Sequence, residues 1–156
     1  MKKLATVITV LLGCLLIAPT ASAQTRETAV ADFGGCLASQ REGDLLLMID
    51  ESGSLQQSDP DAARVEAANY LLGQLASFGA SAGVALDVAV AGFSSEFTMH
   101  APWTRLEPGT LGGLQSEVDA FRSRTSGLDT DYWLALDGAR GALAEHSSGG
   151  STSCQA

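Results

Sequence analysis

Leu45 to Ile49 is an unbroken apolar run held between two aspartates, Asp44 and Asp50. A strand with one wet face alternates apolar and polar residues, so a continuous run predicts a strand buried on both faces, as in a parallel sheet covered by helices. The segments that follow keep to that scheme. Ser58, Asp59 and Pro60 form a helix-start signature, a capping residue ahead of proline at the first helical position. From Asp61 to Phe78, Val65, Ala68, Leu72 and Leu75 recur at three- and four-residue steps, and Leu71 and Phe78 widen the stripe. That spacing predicts an amphipathic helix, stopped by Gly79.

Val84, Leu86, Val88 and Val90 alternate with Ala85, Asp87, Ala89 and Ala91, which predicts a second strand ending at Gly92. Phe97 to Trp103 reads as a third, short strand, placed at a sheet edge by Pro102. Leu111–Phe121 and Asp131–Ala144 carry apolar residues at helical spacing. Strands alternating with helices make the expected fold class α/β, a mainly parallel sheet flanked by helices. Four regions are expected: a leader over 1–23, a polar lead-in over 24–43, the α/β domain over 44–146 and a Ser/Gly/Thr-rich tail over 147–156.

The leader reading rests on Lys2 and Lys3, the apolar run from Leu4 to Ala18, and Ala21-Ser22-Ala23 before Gln24, a secretory signal peptide pattern with cleavage after Ala23. The run is shorter than the roughly 20 residues of a membrane span. Leu11-Leu12-Gly13-Cys14 resembles a lipobox, but Leu15, Leu16 and Ile17 stay apolar beyond the cysteine. The expected product is therefore exported, with no membrane span in its mature part. Loss of Lys2 and Lys3 takes the formal net charge from −9 to −11. Such a chain repels phosphate and offers no basic stripe, which argues against nucleic acid as a partner. Once Cys14 leaves with the leader, Cys36 and Cys154 remain, an even pair expected to form a disulfide in an oxidising compartment.

The chemistry concentrates at the end of the first strand. Asp50-Glu51-Ser52-Gly53-Ser54 places a carboxylate and two hydroxyls at alternate positions just past its carboxyl end, where open α/β sheets bind ligands. An all-oxygen set suits Mg²⁺ or a similar hard cation (Mn²⁺, Ca²⁺) rather than zinc. Glu51 is expected to face solvent.

Asp50-Glu51-Ser52-Gly53-Ser54, set between a buried strand and an amphipathic helix and followed by a strand running into Gly92-Phe93-Ser94-Ser95, resembles the von Willebrand factor A domain family. The family's metal ion-dependent adhesion site begins with an Asp-x-Ser-x-Ser pattern. Its second metal loop contributes a threonine, and Ser126-Gly127-Leu128-Asp129-Thr130-Asp131-Tyr132 is similar to that loop. The resemblance thus implies Asp50, Ser52, Ser54 and Thr130 as metal ligands. Asp129 and Asp131 flank Thr130 and are expected to hold the ligands in place, to substitute for one or, for Asp131, to cap a helix. It covers about Leu45 to Glu145 and stops before the third metal loop, an aspartate after a further strand. The sequence then reads either as a fragment or as a partial domain lacking the C-terminal part of this Rossmann-like fold.

The implied activity is cation-dependent binding of a protein or surface that offers an acidic side chain, and not catalysis. Two other readings are open. Ser52 or Ser54 as a hydrolase nucleophile, with His100 or His146 as base, lacks a Gly-x-Ser-x-Gly context. An interaction module with a vestigial metal site accommodates the missing loop. Trp103 and Trp133 lie in regular elements, where packing into the core is expected ahead of a role as partner contacts.

Overall fold

The computed structural model describes residues 25–147 and 154–156. The expected leader, with its cleavage after Ala23, and the part of the tail from 148 to 153 lie outside the described residues. Strand β1 (Glu42–Asp50) pairs in parallel with β2 (Ala85–Phe93), in register from Glu42–Ala85 to Asp50–Phe93. Strand β3 (Phe97–Arg105) runs antiparallel to β2 and forms one edge. At the other side of β1 lies β4 (Cys154–Gln155), also parallel to it, so the sheet order is β3-β2-β1-β4. The fold is α/β with a mixed, mainly parallel sheet flanked by helices, and Pro102 does sit on an edge strand.

Helices α3 (Ala63–Ala82) and α4 (Pro108–Asp119) cover one face of the sheet, where Val65, Leu72, Val88, Val90, Val118 and Phe121 have no solvent exposure. The opposite face carries Leu46, Ala89 and Ala91 against Ala139 of α5 (Tyr132–Ser147). The alternation of valine with alanine in β2 therefore does not mark a wet face, since Val88, Ala89, Val90 and Ala91 are all fully buried. Alanine is there because α5 packs close: a Cβ on Gly138 of that helix would run into the Phe97 ring.

Several expected boundaries move. The lead-in is a helix, α1 (Thr25–Gln40), anchored by Phe33, Cys36 and the buried Leu37 at positions i, i+3 and i+4. Ser58 does not begin the long helix; it ends a short one, α2 (Leu55–Ser58). The capping oxygens of α3 come from Asp59, which accepts from the backbone N–H of Ala63 (2.6 Å) and Arg64 (3.3 Å). Gly79 does not end α3 but lets it pass Val84, whose carbonyl oxygen would lie 2.9 Å from a Cβ there. The helix stops instead at Gly83, whose φ of +63° gives the left-handed turn common after helix ends.

The tail is not wholly a loop. Cys36 and Cys154 form a disulfide, with a Cα–Cα distance of 5.8 Å. Beyond it Ala156 extends the pairing: its N–H donates to the Asp44 carbonyl (3.0 Å) and its carbonyl accepts from the Leu46 N–H (2.8 Å). No helix among the described residues is long and apolar enough to cross a membrane.

Candidate functional site

The ladder between β1 and β2 continues one step past the strand, with the Glu51 N–H donating to the Phe93 carbonyl at 2.9 Å. The chain then turns. The Asp50 carboxylate drives the turn by accepting from the Ser52 backbone N–H at 2.7 Å, a side chain standing in for a backbone turn. Ser52 is buried, and its hydroxyl lies 3.1 Å from that of the exposed Ser54.

A second loop, after a 3-10 turn over Ala120–Ser123, is stitched to the first. Gly53 donates to the Gly127 carbonyl (2.8 Å), Gly127 donates to the Glu51 carbonyl (3.0 Å), and the Gln56 amide reaches the Thr125 carbonyl (2.7 Å). Glycine is required at 127, because a Cβ would collide with the Ser94 side chain and lie 2.9 Å from the Glu51 carbonyl oxygen. Between the loops is an open cleft of about 500 Å³ lined by Ser52, Ser54, Gln56, Ser126, Asp129 and Thr130. Ser52, Ser54 and Thr130 thus share one cleft; Asp50 does not line it, and its carboxylate braces the Ser52 backbone instead.

The neighbouring carboxylates have assigned work. Asp129 accepts from the Thr130 backbone N–H at 2.8 Å, and Asp131 accepts from the Leu134 N–H at 3.0 Å, so Asp131 caps the start of α5. Arg64 ties the region together: it donates to the Asp50 carbonyl (3.2 Å), the Phe121 carbonyl (2.6 Å) and the Asp59 carboxylate (2.8 Å). That guanidinium, with the two backbone donors, holds the Asp59 carboxyl below the usual aspartate range.

Glu51 does not face solvent. Its carboxylate is turned inward, 3.2 Å from His100 Nε2 and 3.3 Å from Arg124 Nη1, and the His100 ring stands edge-on to Phe121. Space for this cluster comes from Gly92, where a Cβ would run into the Glu51 carboxylate and His100. His100 is thereby committed to Glu51 and Arg124, while the Ser52 hydroxyl faces Ser54. His146 lies near the start of β1, beside Asp44. Asp44 and Asp50 are six positions apart along the strand, roughly 20 Å, so His146 is out of reach of either serine.

Sequence reasoning passed over the group around His146. Asp44 and Asp87 are register partners on β1 and β2, and with His146 of α5 they place three ligand atoms within 4.8 Å of one another. This is a group that can hold a metal ion. The available signal was an aspartate inside each of two apolar strands, read instead as a boundary and as one step of an alternation. The tryptophans divide: Trp103 is partly buried and stacks on His146 (centroids 4.3 Å apart), but Trp133 is 85% exposed, contrary to the expectation of core packing. Near it in sequence, Leu128, Tyr132 and Leu136 are exposed too.

No family model matches this chain, and no curated protein matches it.

Proposed function

We propose that this chain is an exported binding module, similar to von Willebrand factor A domains, that takes a protein or surface ligand through a divalent cation held at the Ser52–Ser54 cleft. The observation that carries the reading is the convergence of the Ser52 and Ser54 hydroxyls and Thr130 on one cleft, between loops stitched by backbone hydrogen bonds. Adjacent oxygens around an octahedral ion with bonds of about 2.1 Å lie about 3.0 Å apart. The Ser52–Ser54 spacing of 3.1 Å is compatible with two adjacent positions around such an ion. Mg²⁺ is the preferred occupant, with Mn²⁺ and Ca²⁺ as chemical neighbours.

In this reading Ser52, Ser54 and Thr130 supply neutral oxygens, and Asp50 contributes charge while holding the turn. When bound, the ion supplies a coordination position for an acidic side chain of the partner. Net charge supports the need for it: residues 24–156 carry a formal −11, which repels a carboxylate unless a cation stands between. A macromolecular partner is supported by exposed apolar residues: Leu128, which lines the cleft and is 98% exposed, and Tyr132, Trp133 and Leu136 of α5, which follow Thr130 in sequence. Export is supported by the leader pattern together with the Cys36–Cys154 disulfide.

Titration calorimetry tests the reading. Mg²⁺ or Mn²⁺ added to the chelator-treated chain should bind at one equivalent through the cleft, and a Ser52→Ala, Ser54→Ala double variant that keeps its fold should lose at least tenfold in affinity. Absence of uptake by the parent chain at millimolar ion, or unchanged affinity in the variant, would overturn it.

A further inference from the structure

We infer that Asp44, Asp87 and His146 form a second metal site, at the opposite end of the sheet from the serine cleft, suited to a transition-metal ion of the zinc type. The site does not depend on the cleft reading. Its three donors come from three elements, β1, β2 and α5, and the strand register alone brings the aspartates side by side. His146 Nε2 lies 3.4 Å from Asp44 Oδ1 and 3.8 Å from Asp87 Oδ2. For zinc, with bonds of roughly 2.0–2.2 Å to nitrogen and oxygen, neighbouring ligand atoms of a tetrahedron lie roughly 3.4 Å apart. Of the three edges of the donor triangle one already has that length, a second is within a few tenths of an ångström of it, and the third, between the aspartate oxygens, is no longer than 4.8 Å.

The surrounding groups make this more than a chance meeting of charges. Each carboxylate has one oxygen turned to His146 and its other oxygen taken by an outer donor. Arg105 Nε holds Asp87 Oδ1 at 2.9 Å, and the Gln155 amide lies 3.4 Å from Asp44 Oδ2. That division, inner oxygens converging and outer oxygens held, is how metal sites orient their ligands. The imidazole is oriented as well, stacked on Trp103 with an interplanar angle of 11°.

Charge and access agree. Asp44 is 2% exposed, while the side chains of His146 and Asp87 keep 23% and 24% exposure, so an ion has a route in from solvent. Two carboxylates and an imidazole converging from three elements are a donor set that attracts a divalent ion. One imidazole nitrogen with two carboxylate oxygens favours zinc and its relatives over Mg²⁺, which prefers oxygen alone. An occupied site would clamp the last turn of α5 to β1 and β2, and β4 is tied to the same place because the Gln155 amide also donates to the Leu143 carbonyl at 3.0 Å.

The rival occupant of the same space is a proton, with His146 as an imidazolium between two aspartates, and the experiment separates the two. Co²⁺, a spectroscopic stand-in for zinc, is titrated into the chelator-treated chain near pH 7.5 and read by its visible absorption, then displaced with Zn²⁺. The expected result is one equivalent of Co²⁺ bound with the absorption of a low-coordinate site and displaced by Zn²⁺. Affinity should fall at least tenfold in His146→Ala and in Asp87→Asn, and stay unchanged in Ser52→Ala, Ser54→Ala. His146→Gln serves if His146→Ala does not fold. No Co²⁺ or Zn²⁺ uptake at millimolar ion, or equal affinity in the folded His146 and Asp87 variants, would overturn the inference and leave an ion pair.

Discussion

Removing the Cys36–Cys154 bridge perturbs the molecule at the point where its two ends are tied to the sheet. The cysteines are 118 residues apart in sequence, so the bridge closes nearly the whole described chain into one loop. In the loop-entropy model, closing a loop of that length stabilises the folded state by about 5 kcal/mol, an upper figure because the unlinked unfolded chain keeps some compactness. Local contacts add to the effect. Cys154 is buried against Gly43, and the pairing of Ala156 with Asp44 and Leu46 stands at the end of a strand of only two residues. Without the cross-link that strand must be held by its few hydrogen bonds alone. A Cys36→Ala, Cys154→Ala double variant, compared with the oxidised chain by urea unfolding followed by circular dichroism, should lose about 3–5 kcal/mol. With a slope of about 2 kcal/mol per molar urea, the midpoint should fall by about 2 M. A fall of less than about 0.5 M, well outside that arithmetic, would refute the view that the bridge constrains the chain ends.

Three further outcomes are expected. Gly92→Ala should destabilise by about 1–3 kcal/mol, since its methyl must displace Glu51 or His100, and thermal melts with no loss would mean that this cluster is loose. Arg64 and the start of α3 hold the Asp59 carboxyl below the ordinary value of about 3.9. Its contribution is therefore fully present above that value and lost as pH falls through the lower, folded one. Asp59→Asn should narrow the gap between stability at pH 7 and at pH 3, and an unchanged gap in urea midpoints would count against the ion pair. Trp133→Ala, at an 85% exposed position, should alter stability by no more than about 0.5 kcal/mol in the same assay, and a larger loss would place the ring in the core.

Much of the scaffold was legible because apolar periodicity reports burial directly. Leu45–Ile49 reads as a strand covered on both faces, and Val65, Ala68 and Leu72 as the inner stripe of a helix, because single elements determine those patterns. What escaped depends on partners distant in sequence. Cys154–Gln155 is a strand only because β1 and Cys36 receive it, and Ser/Gly/Thr-rich flanks give no hint of that. Glu51 looks like a solvent-facing residue until Gly92, 41 positions later, is seen to open a space for it.

The two candidate sites divide along the same line. Asp50, Ser52 and Ser54 are neighbours in sequence, so their grouping is visible before any fold is known, and Thr130 joins them through a loop whose glycine spacing is also readable. Asp44, Asp87 and His146 are separated by 43 and 59 residues and meet only through strand register and the packing of α5. Asp131 shows the limit of motif reading, since the same carboxylate beside Thr130 that suits an ion is occupied in capping α5.

The central claim, that two loops grip a hard divalent ion at one rim of the sheet, is tested most directly by amide-resolved NMR of the labelled chain with substoichiometric Mn²⁺. Paramagnetic broadening should centre on the backbone amides of Ser52, Gly53, Ser54 and Thr130 and be relieved by excess Mg²⁺. Broadening centred on Asp44, Asp87 and His146 alone, or spread evenly over the acidic surface, would contradict it.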